Sequence, residues 1–285
     1  MMAGVTSPLL SVAELAALLD STDPPPRILD VQFVLGDPDA GRRLYRRAHV
    51  PDAIFCDLDT VLAGPVGPTG GRHPLPRTDR LQEELRRLGV RASRPVVVYD
   101  EGAGMAAARA WWVLRWVGHG DVRILDGGLP AWVAAGEPTA TGDAPAPARG
   151  DFTVNPGGMP LLDADGAARL ARAGLLLDVR APERYRGESE PIDPVAGHIP
   201  GAVNAPVAES LDESGRYRGA EQLRDRFAGL GVTPDRSVGA YCGSGLSAAQ
   251  QVVALTIAGF EPALYAGSWS DWITDPHRPV ATGPS

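Results

Sequence analysis

The chain alternates short, continuous apolar runs with longer runs that have helical spacing. The short runs include "RILDV" (27–31), "PVVVYD" (95–100) and "SVGAYC" (237–242). Glycine loops connect the last two to "AAARAWWVLRWVG" (106–118) and "SAAQQVVALTIAG" (247–259), and each of these ends in a glycine, a common helix stop. Short apolar runs are typical of buried parallel strands. The pattern therefore predicts an α/β fold, a mostly parallel sheet with helices on both faces and ligands at the carboxyl ends of its strands.

Most of this pattern occurs twice. "RILDVQF" (27–33) returns as "LLLDVRA" (175–181), "AHVPDAIFCDLD" (48–59) as "GHIPGAVNAPVA" (197–208), and "RILDGGLPAW" (123–132) as "ALYAGSWSDW" (263–272). The offsets are about 140 to 150 residues, so the repeated unit is a whole domain. The sequence predicts a first domain over 1–136, an irregular linker rich in Pro, Ala and Gly over 137–158, and a second domain over 159–285.

The amino-acid composition argues against several classes of function. The net charge is −8, which argues against nucleic-acid binding, and all 27 basic residues are arginine, which excludes lysine Schiff bases and a P-loop lysine. No apolar stretch is long enough to span a membrane, and two cysteines, Cys56 and Cys242, do not make a disulfide framework. We expect a cytoplasmic protein that binds neither nucleic acid nor membrane. The sequence has neither metal-ligand spacing nor a dinucleotide fingerprint, so no cofactor or metal is expected.

The loop "CGSGLSAA" (242–249) is the strongest candidate for chemistry. Cys242 follows a predicted buried strand, and a helix starts directly after the loop. Glycines at 243 and 245 allow several backbone N–H groups to turn inward, and together with the positive helix end they favour a thiolate. We therefore predict that Cys242 is a nucleophile. The alternative, a buried and inert cysteine, is our interpretation of Cys56, which follows apolar Phe55.

The first repeat has "YDEGAGMAAA" (99–108) where the second has the cysteine loop. Asp100 occupies the position of Cys242, and an aspartate cannot serve as a sulfur nucleophile. Only the second domain is therefore expected to be catalytic.

From about residue 9 to 280, the chain resembles the tandem-domain sulfurtransferases of the rhodanese superfamily. "GHIPGAVN", "LLLDVRAPERYRGE" and "YAGSWSDW" are similar to family signatures. The resemblance implies two domains, each with a five-stranded parallel sheet flanked by helices. "CGSGLS" (242–247) is similar to the loop of members that use 3-mercaptopyruvate, whereas members that use thiosulfate carry cationic side chains there. A related phosphatase loop closes with an arginine that is absent here, so phosphatase activity is disfavoured.

The resemblance also implies roles for further residues. Ser244 matches the serine of a Ser–His–Asp relay, and His73 and Asp59 match the other two members, both contributed by the first domain. Such a relay could protonate the departing enolate. Without the resemblance, His73 could be a loop histidine and Asp59 a helix cap. The loop N–H groups are expected to hold the substrate sulfur; their residues are Gly243, Gly245, Leu246, Ser247 and Ala248.

Arg184 matches an arginine that binds the substrate carboxylate, for which a guanidinium is a suitable fork. Its alternative is a surface ion pair with Glu183 or Glu188. The family usually has a second arginine before "GHIPG", but this chain has "SEPIDPVAGH" (189–198), which is acidic and has no basic side chain other than its histidine. Carboxylate binding is therefore expected to be weaker or to come from another residue.

These inferences predict sulfur transfer from a small anionic donor, 3-mercaptopyruvate, through a Cys242 persulfide to a thiol, a thioredoxin-like protein or cyanide. One alternative is a thiosulfate sulfurtransferase. Another is a non-catalytic binding or regulatory module with a vestigial loop.

Overall fold

The computed structural model describes residues 7–21, 24–102 and 104–284. By contact, these residues form two compact units that separate between Gly158 and Met159. Two short segments belong to the unit opposite to their position in sequence: residues 63–75 to the second unit and residues 214–216 to the first. The segment 63–75 contains His73, which the sequence had assigned to the first domain.

The first unit is a five-stranded parallel sheet in the order β1-β5-β4-β2-β3. Its strands are β1 (Leu9–Leu10), β2 (Arg27–Asp30), β3 (Ile54–Phe55), β4 (Val96–Tyr99) and β5 (Val122–Leu125). Its α-helices are α1 (Val12–Leu19), α2 (Ala40–Arg47), α3 (Thr78–Arg87), α4 (Met105–Trp116) and α5 (Gly128–Ala134), with a π-helix at Leu58–Leu62.

The second unit repeats this arrangement, with parallel strands in the order β6-β10-β9-β7-β8. Its strands are β6 (Leu161–Leu162), β7 (Leu175–Asp178), β8 (Val203–Asn204), β9 (Val238–Tyr241) and β10 (Ala263–Tyr265). Its α-helices are α6 (Ala164–Ala173), α7 (Pro182–Tyr185), α8 (Ala220–Gly229), α9 (Leu246–Ile257) and α10 (Ser268–Trp272), with a 3₁₀-helix at Val207–Ser210. The predicted fold class is confirmed.

The central strands explain why the sequence predicted this fold. β4, β7 and β9 are buried along their whole length, as expected of strands covered on both faces. α4 and α9 end shortly before Gly118 and Gly259, which both have φ of +91°. Among the helices in the described ranges, none is long and apolar enough to cross a membrane.

Residues 137–158, predicted as a linker, contain no helix or strand and belong to the first unit. Backbone hydrogen bonds hold this segment. His49 and Ala140 form an isolated β-bridge, and the N–H groups of Phe152 and Asn155 donate to the carbonyls of Val90 and Val117.

Candidate active site

Cys242 directly follows β9, and α9 begins four residues later. The thiol is buried, with 4% of the residue exposed, and its Sγ accepts a hydrogen bond from the N–H of Gly245 at 3.0 Å. Gly245 has φ of +83°, and a Cβ there would lie 2.2 Å from the carbonyl oxygen of Ala266. Only glycine fits this position, so the turn that aims the N–H at the sulfur depends on it.

Hydrogen bonds with α10 fix the cysteine loop in place. The N–H groups of Trp269 and Ser270 donate to the carbonyls of Cys242 and Gly243, each at 2.9 Å. The Ser268 hydroxyl accepts the Cys242 N–H at 3.1 Å and donates to the Tyr265 carbonyl at 2.9 Å. The first two loop carbonyls therefore face α10, which fixes the orientation of the loop peptides.

In the first unit, the corresponding loop binds a carboxylate. Asp100 follows β4 as Cys242 follows β9, and its carboxylate accepts four backbone N–H groups. Oδ1 accepts those of Gly102 and Gly104 at 3.0 Å, and Oδ2 accepts those of Ala106 and Ala107 at 3.1 Å. Several N–H groups that converge at a helix start form an anion site. In the first unit the protein's own carboxylate fills that site.

The two loops align at their helix starts. Gly104 precedes α4 with φ of +71°, as Gly245 precedes α9 with φ of +83°. Ser247 and Ala248 therefore correspond to Ala106 and Ala107, whose N–H groups bind Oδ2 of Asp100. Leu246 and Ala248 are buried, so the side chains of these residues lie inside the protein.

Arg184 lies beside the cysteine loop, but its ion pairs are not those with Glu183 or Glu188 that the sequence suggested as an alternative. Its Nε and Nη2 donate to Glu190, with the shortest distance 2.6 Å, and Nη2 also lies 3.2 Å from Asp193. Glu188 pairs instead with Arg186. Burial acts to raise the pKa of Glu190, but hydrogen bonds from Arg184 and from the N–H groups of Asp193 and Ile192 lower it overall. The carboxylate is therefore ionised near neutral pH.

A second guanidinium group, that of Arg72, also lies beside the cysteine loop. Arg72 belongs to the segment 63–75, and its Nη1 donates to Oδ1 of Asp193, whose side chain is 2% exposed. A Cβ built on Gly243 would lie 2.9 Å from Nη2 of Arg72 and 3.7 Å from Nη2 of Arg184. Two arginines thus flank the residue after Cys242.

The ion pairs continue within the second unit. Arg180 donates to Asp178 at 2.7 Å and lies 3.2 Å from Glu190, with all three side chains almost fully buried. Burial lowers the pKa of Arg180, but the charge and hydrogen bonds of Asp178 outweigh burial and raise it. We name this row of alternating charges the charge chain; its members, in order, are Asp178, Arg180, Glu190, Arg184, Asp193 and Arg72.

The three residues of the predicted Ser–His–Asp relay do not all lie in the same unit. His73 is buried and belongs, like half-buried Ser244, to the second unit, whereas Asp59 lies in the π-helix of the first unit. A relay among these three residues therefore stays a prediction. In the described residues, no cluster of three or more His, Cys, Asp or Glu side chains is arranged to hold a metal ion.

Four further side chains lie in structural environments: Cys56, His49, His198 and Trp269. Cys56 is fully buried, which raises the pKa of its thiol. Nδ1 of His49 lies 2.9 Å from the Tyr45 carbonyl, and Nδ1 of His198 lies 2.8 Å from the Tyr185 carbonyl. Trp269 is buried in the core of the second unit.

Comparison with known families decides the classification. The rhodanese-like domain matches twice, at residues 11–135 and 163–275. The chain belongs to the rhodanese family. A Pseudomonas aeruginosa protein named probable 3-mercaptopyruvate sulfurtransferase is 50% identical over 96% of this chain and 98% of its own length. A Mycobacterium tuberculosis protein named putative thiosulfate sulfurtransferase SseB is 45% identical over 96% of this chain and 97% of its own length.

Solved rhodanese structures agree with this classification. The crystal structure of SseA from Escherichia coli, a 3-mercaptopyruvate sulfotransferase, matches with a TM-score of 0.80 and 30% identity, over 93% of this chain and all of that chain. This chain is thus a sulfurtransferase with two rhodanese domains.

Sequence reasoning did not find several residues of this rhodanese site. Arg72 and Asp193 are 121 residues apart, so no local pattern links them. One signal was present: the acidic segment 189–198, noted as a departure from the family, supplies both carboxylates that hold the arginines. Ser268 and Ser270 lie in the "YAGSWSDW" signature, whose bracing of the loop the sequence did not reveal.

Proposed function

We propose that the chain transfers sulfur from 3-mercaptopyruvate to a nucleophilic acceptor through a persulfide on Cys242. The observation that carries this proposal is the position of Cys242 Sγ. It lies between the end of β9 and the start of α9 and accepts the Gly245 N–H. The N–H groups that bind the Asp100 carboxylate support it, because a loop of this kind stabilises negative charge.

In the first step, the Cys242 thiolate attacks the donor sulfur. An S–S bond forms and the donor C–S bond breaks, and the electron pair passes to the carbon of the pyruvate enolate. The donor's thiol proton is transferred to that carbon, so the products are pyruvate and an ionised Cys242 persulfide. Ser244, assisted by His73, is the proposed route for this proton.

In the second step, an acceptor attacks the outer sulfur of the persulfide and Cys242 returns to its thiolate. Cyanide gives thiocyanate, and a thiol or a thioredoxin-like protein gives a new persulfide. The N–H groups of Gly245, Ser247 and Ala248 hold the outer sulfur between the steps, as their counterparts hold Asp100. Covalent storage divides one difficult displacement into two easier ones.

The choice of donor follows from the charge beside the loop. No charged side chain occurs from Gly243 to Ala248, and the flanking guanidinium groups share the carboxylates of Glu190 and Asp193. A nearly neutral, partly buried environment favours a donor with one carboxylate over the thiosulfate dianion. Arg184 directs Nη1 towards this region, 3.9 Å from the Cβ position of Gly243.

The test compares kcat/KM for 3-mercaptopyruvate and thiosulfate with cyanide as acceptor. We expect the larger value for 3-mercaptopyruvate, no turnover of either donor by Cys242→Ser, and one added sulfur on Cys242 by mass spectrometry. Cys56→Ala is the matched control and should keep both turnover and the added sulfur.

The other outcomes separate the alternatives. A larger kcat/KM for thiosulfate would identify the thiosulfate enzyme that the name of the Mycobacterium tuberculosis relative suggests. Turnover by Cys242→Ser would exclude the persulfide. Absence of turnover with both donors would favour the non-catalytic module.

A further inference from the structure

We propose that Arg72 binds the carboxylate of the sulfur donor and takes the place of the arginine that is absent from residues 189–198. This inference rests on the proposed function. It assigns the principal anion contact to Arg72 rather than to Arg184, the residue that the family resemblance indicated.

The two arginines differ in which guanidinium edge is occupied. Arg184 uses its Nε–Nη2 edge to hold Glu190, which leaves Nη1 towards the loop. The hydrogen bond of the Arg72 side chain uses Nη1, and its buried Nε has no hydrogen-bond partner among the described residues. Because Nε is buried and Nη1 holds Asp193, Nη2 is the Arg72 donor that remains for a ligand, and a guanidinium N–H donates a strong, charge-assisted hydrogen bond to a carboxylate.

This Nη2 donor lies beside the cysteine loop. Nη2 of Arg72 lies 2.9 Å from the position that a Cβ on Gly243 would take, next to Cys242. The Arg72 side chain is 29% exposed, compared with 16% for Arg184, so a solute can reach it. A carboxylate bound to Nη2 would place the rest of a three-carbon donor within reach of the cysteine loop.

The Arg72 backbone is fixed in this place. Its N–H donates to the Ser270 hydroxyl at 3.1 Å, and the Gly70 N–H donates to Asp271 Oδ1 at 2.6 Å. Ser270 in turn donates its own N–H to the Gly243 carbonyl. α10 thus holds the loop and Arg72 together, and Asp193 acts as a positioning residue for the guanidinium. A preorganised donor of this kind loses little entropy when the substrate binds.

The test uses mercaptoacetone, which has a methyl group where 3-mercaptopyruvate has its carboxylate. Arg72→Gln should lower kcat/KM for 3-mercaptopyruvate about 10- to 100-fold, mainly through KM, and leave mercaptoacetone within about 3-fold of wild type. Arg72→Lys keeps the charge but not the fork and should lie in between. Arg186→Gln, which removes an exposed arginine paired with Glu188, is the matched control and should change neither donor.

A binding titration keeps this inference separate from the proposed function. Cys242→Ala should bind 3-mercaptopyruvate at least about 10-fold more tightly than Cys242→Ala/Arg72→Gln, whether or not the wild type turns the donor over. Equal affinities, or equal losses of Arg72→Gln on both donors, would overturn the role of Arg72. A preserved difference in affinity without wild-type turnover would overturn only the proposed function.

Discussion

Asp100 and Cys242 follow corresponding strands, and in both cases backbone N–H groups are the hydrogen-bond donors. The main chain therefore defines the anion site, and the residue at its first position decides its use. A carboxylate fills the site permanently, whereas a thiol leaves space for a second sulfur atom. Under the proposed function, this difference is the physical reason why we expect the first unit to be inert in sulfur transfer.

We expect Asp100→Ala to destabilise the protein by about 2–3 kcal/mol, because the N–H groups that bind the carboxylate lose their acceptor. Urea unfolding measures this loss. Asp37→Ala is the control, because its exposed carboxylate pairs with the exposed Arg43, and it should change the unfolding free energy much less. Equal losses for the two variants would show that the Asp100 site contributes no special stability.

Arg184 also has a structural role, because it holds a buried carboxylate. Arg184→Ala would leave Glu190, whose side chain is 3% exposed, with one partner fewer, and should lower the unfolding free energy by about 3 kcal/mol as well as reducing kcat/KM. Arg186→Ala removes an exposed ion pair and should change the unfolding free energy much less. Unfolding midpoints of the two variants provide the comparison, and an unchanged midpoint for Arg184→Ala would contradict this structural role.

At the scale of elements, the segment 63–75 and α10 approach each other closely at Gly71. This residue has φ of +72°, and a Cβ there would lie 2.4 Å from the Gly267 carbonyl oxygen and 2.5 Å from the Ser270 hydroxyl. An alanine would therefore force the segment away from α10 and displace Arg72 from the loop.

Gly71→Ala should reduce kcat/KM for 3-mercaptopyruvate at least about 10-fold and affect mercaptoacetone less, because it displaces Arg72, which only the carboxylate of 3-mercaptopyruvate is proposed to contact. Gly136→Ala is the matched control: Gly136 has φ of +81° but no atom within 4 Å of its Cβ position, so it tests the backbone strain alone. If both glycine variants behave alike, displacement of Arg72 is not the cause.

The elements themselves could be predicted because their signals are local. Apolar runs such as 96–99 and 238–241 are strands, and the glycine loop of Cys242 leads into α9 as expected. The contact between Arg72 and Asp193 could not be predicted, since it depends on a segment from the first half of the chain that packs into the second unit. Nor could the spacing of Arg184 and Glu190 show which guanidinium edge remains open.

At the scale of the whole molecule, the two units have the same strand order, but a buried aspartate at corresponding positions has different neighbouring side chains in the two units. Asp178 in the second unit is paired with Arg180, whereas Asp30 in the first unit has Gln32 where the other has its arginine. Asp30 is fully buried. Burial raises its pKa to about 7, and the neighbouring Tyr99 and Gln32 side chains oppose this increase only in part.

Asp30 should therefore make the protein less stable as the pH rises. Between the ordinary pKa of an aspartate, about 4, and pH 7, the unfolded chain releases this proton while the folded protein keeps it, which costs up to about 1.4 kcal/mol per pH unit. Above pH 7 both states are ionised, and the penalty stays constant. Asp30→Asn removes this penalty, so its unfolding free energy relative to wild type should be about 2–3 kcal/mol higher at pH 8 than at pH 5. Asp178→Asn, which breaks a buried pair, should instead be destabilising at both values, and a pH-independent difference for Asp30→Asn would show that Asp30 is ionised throughout this range.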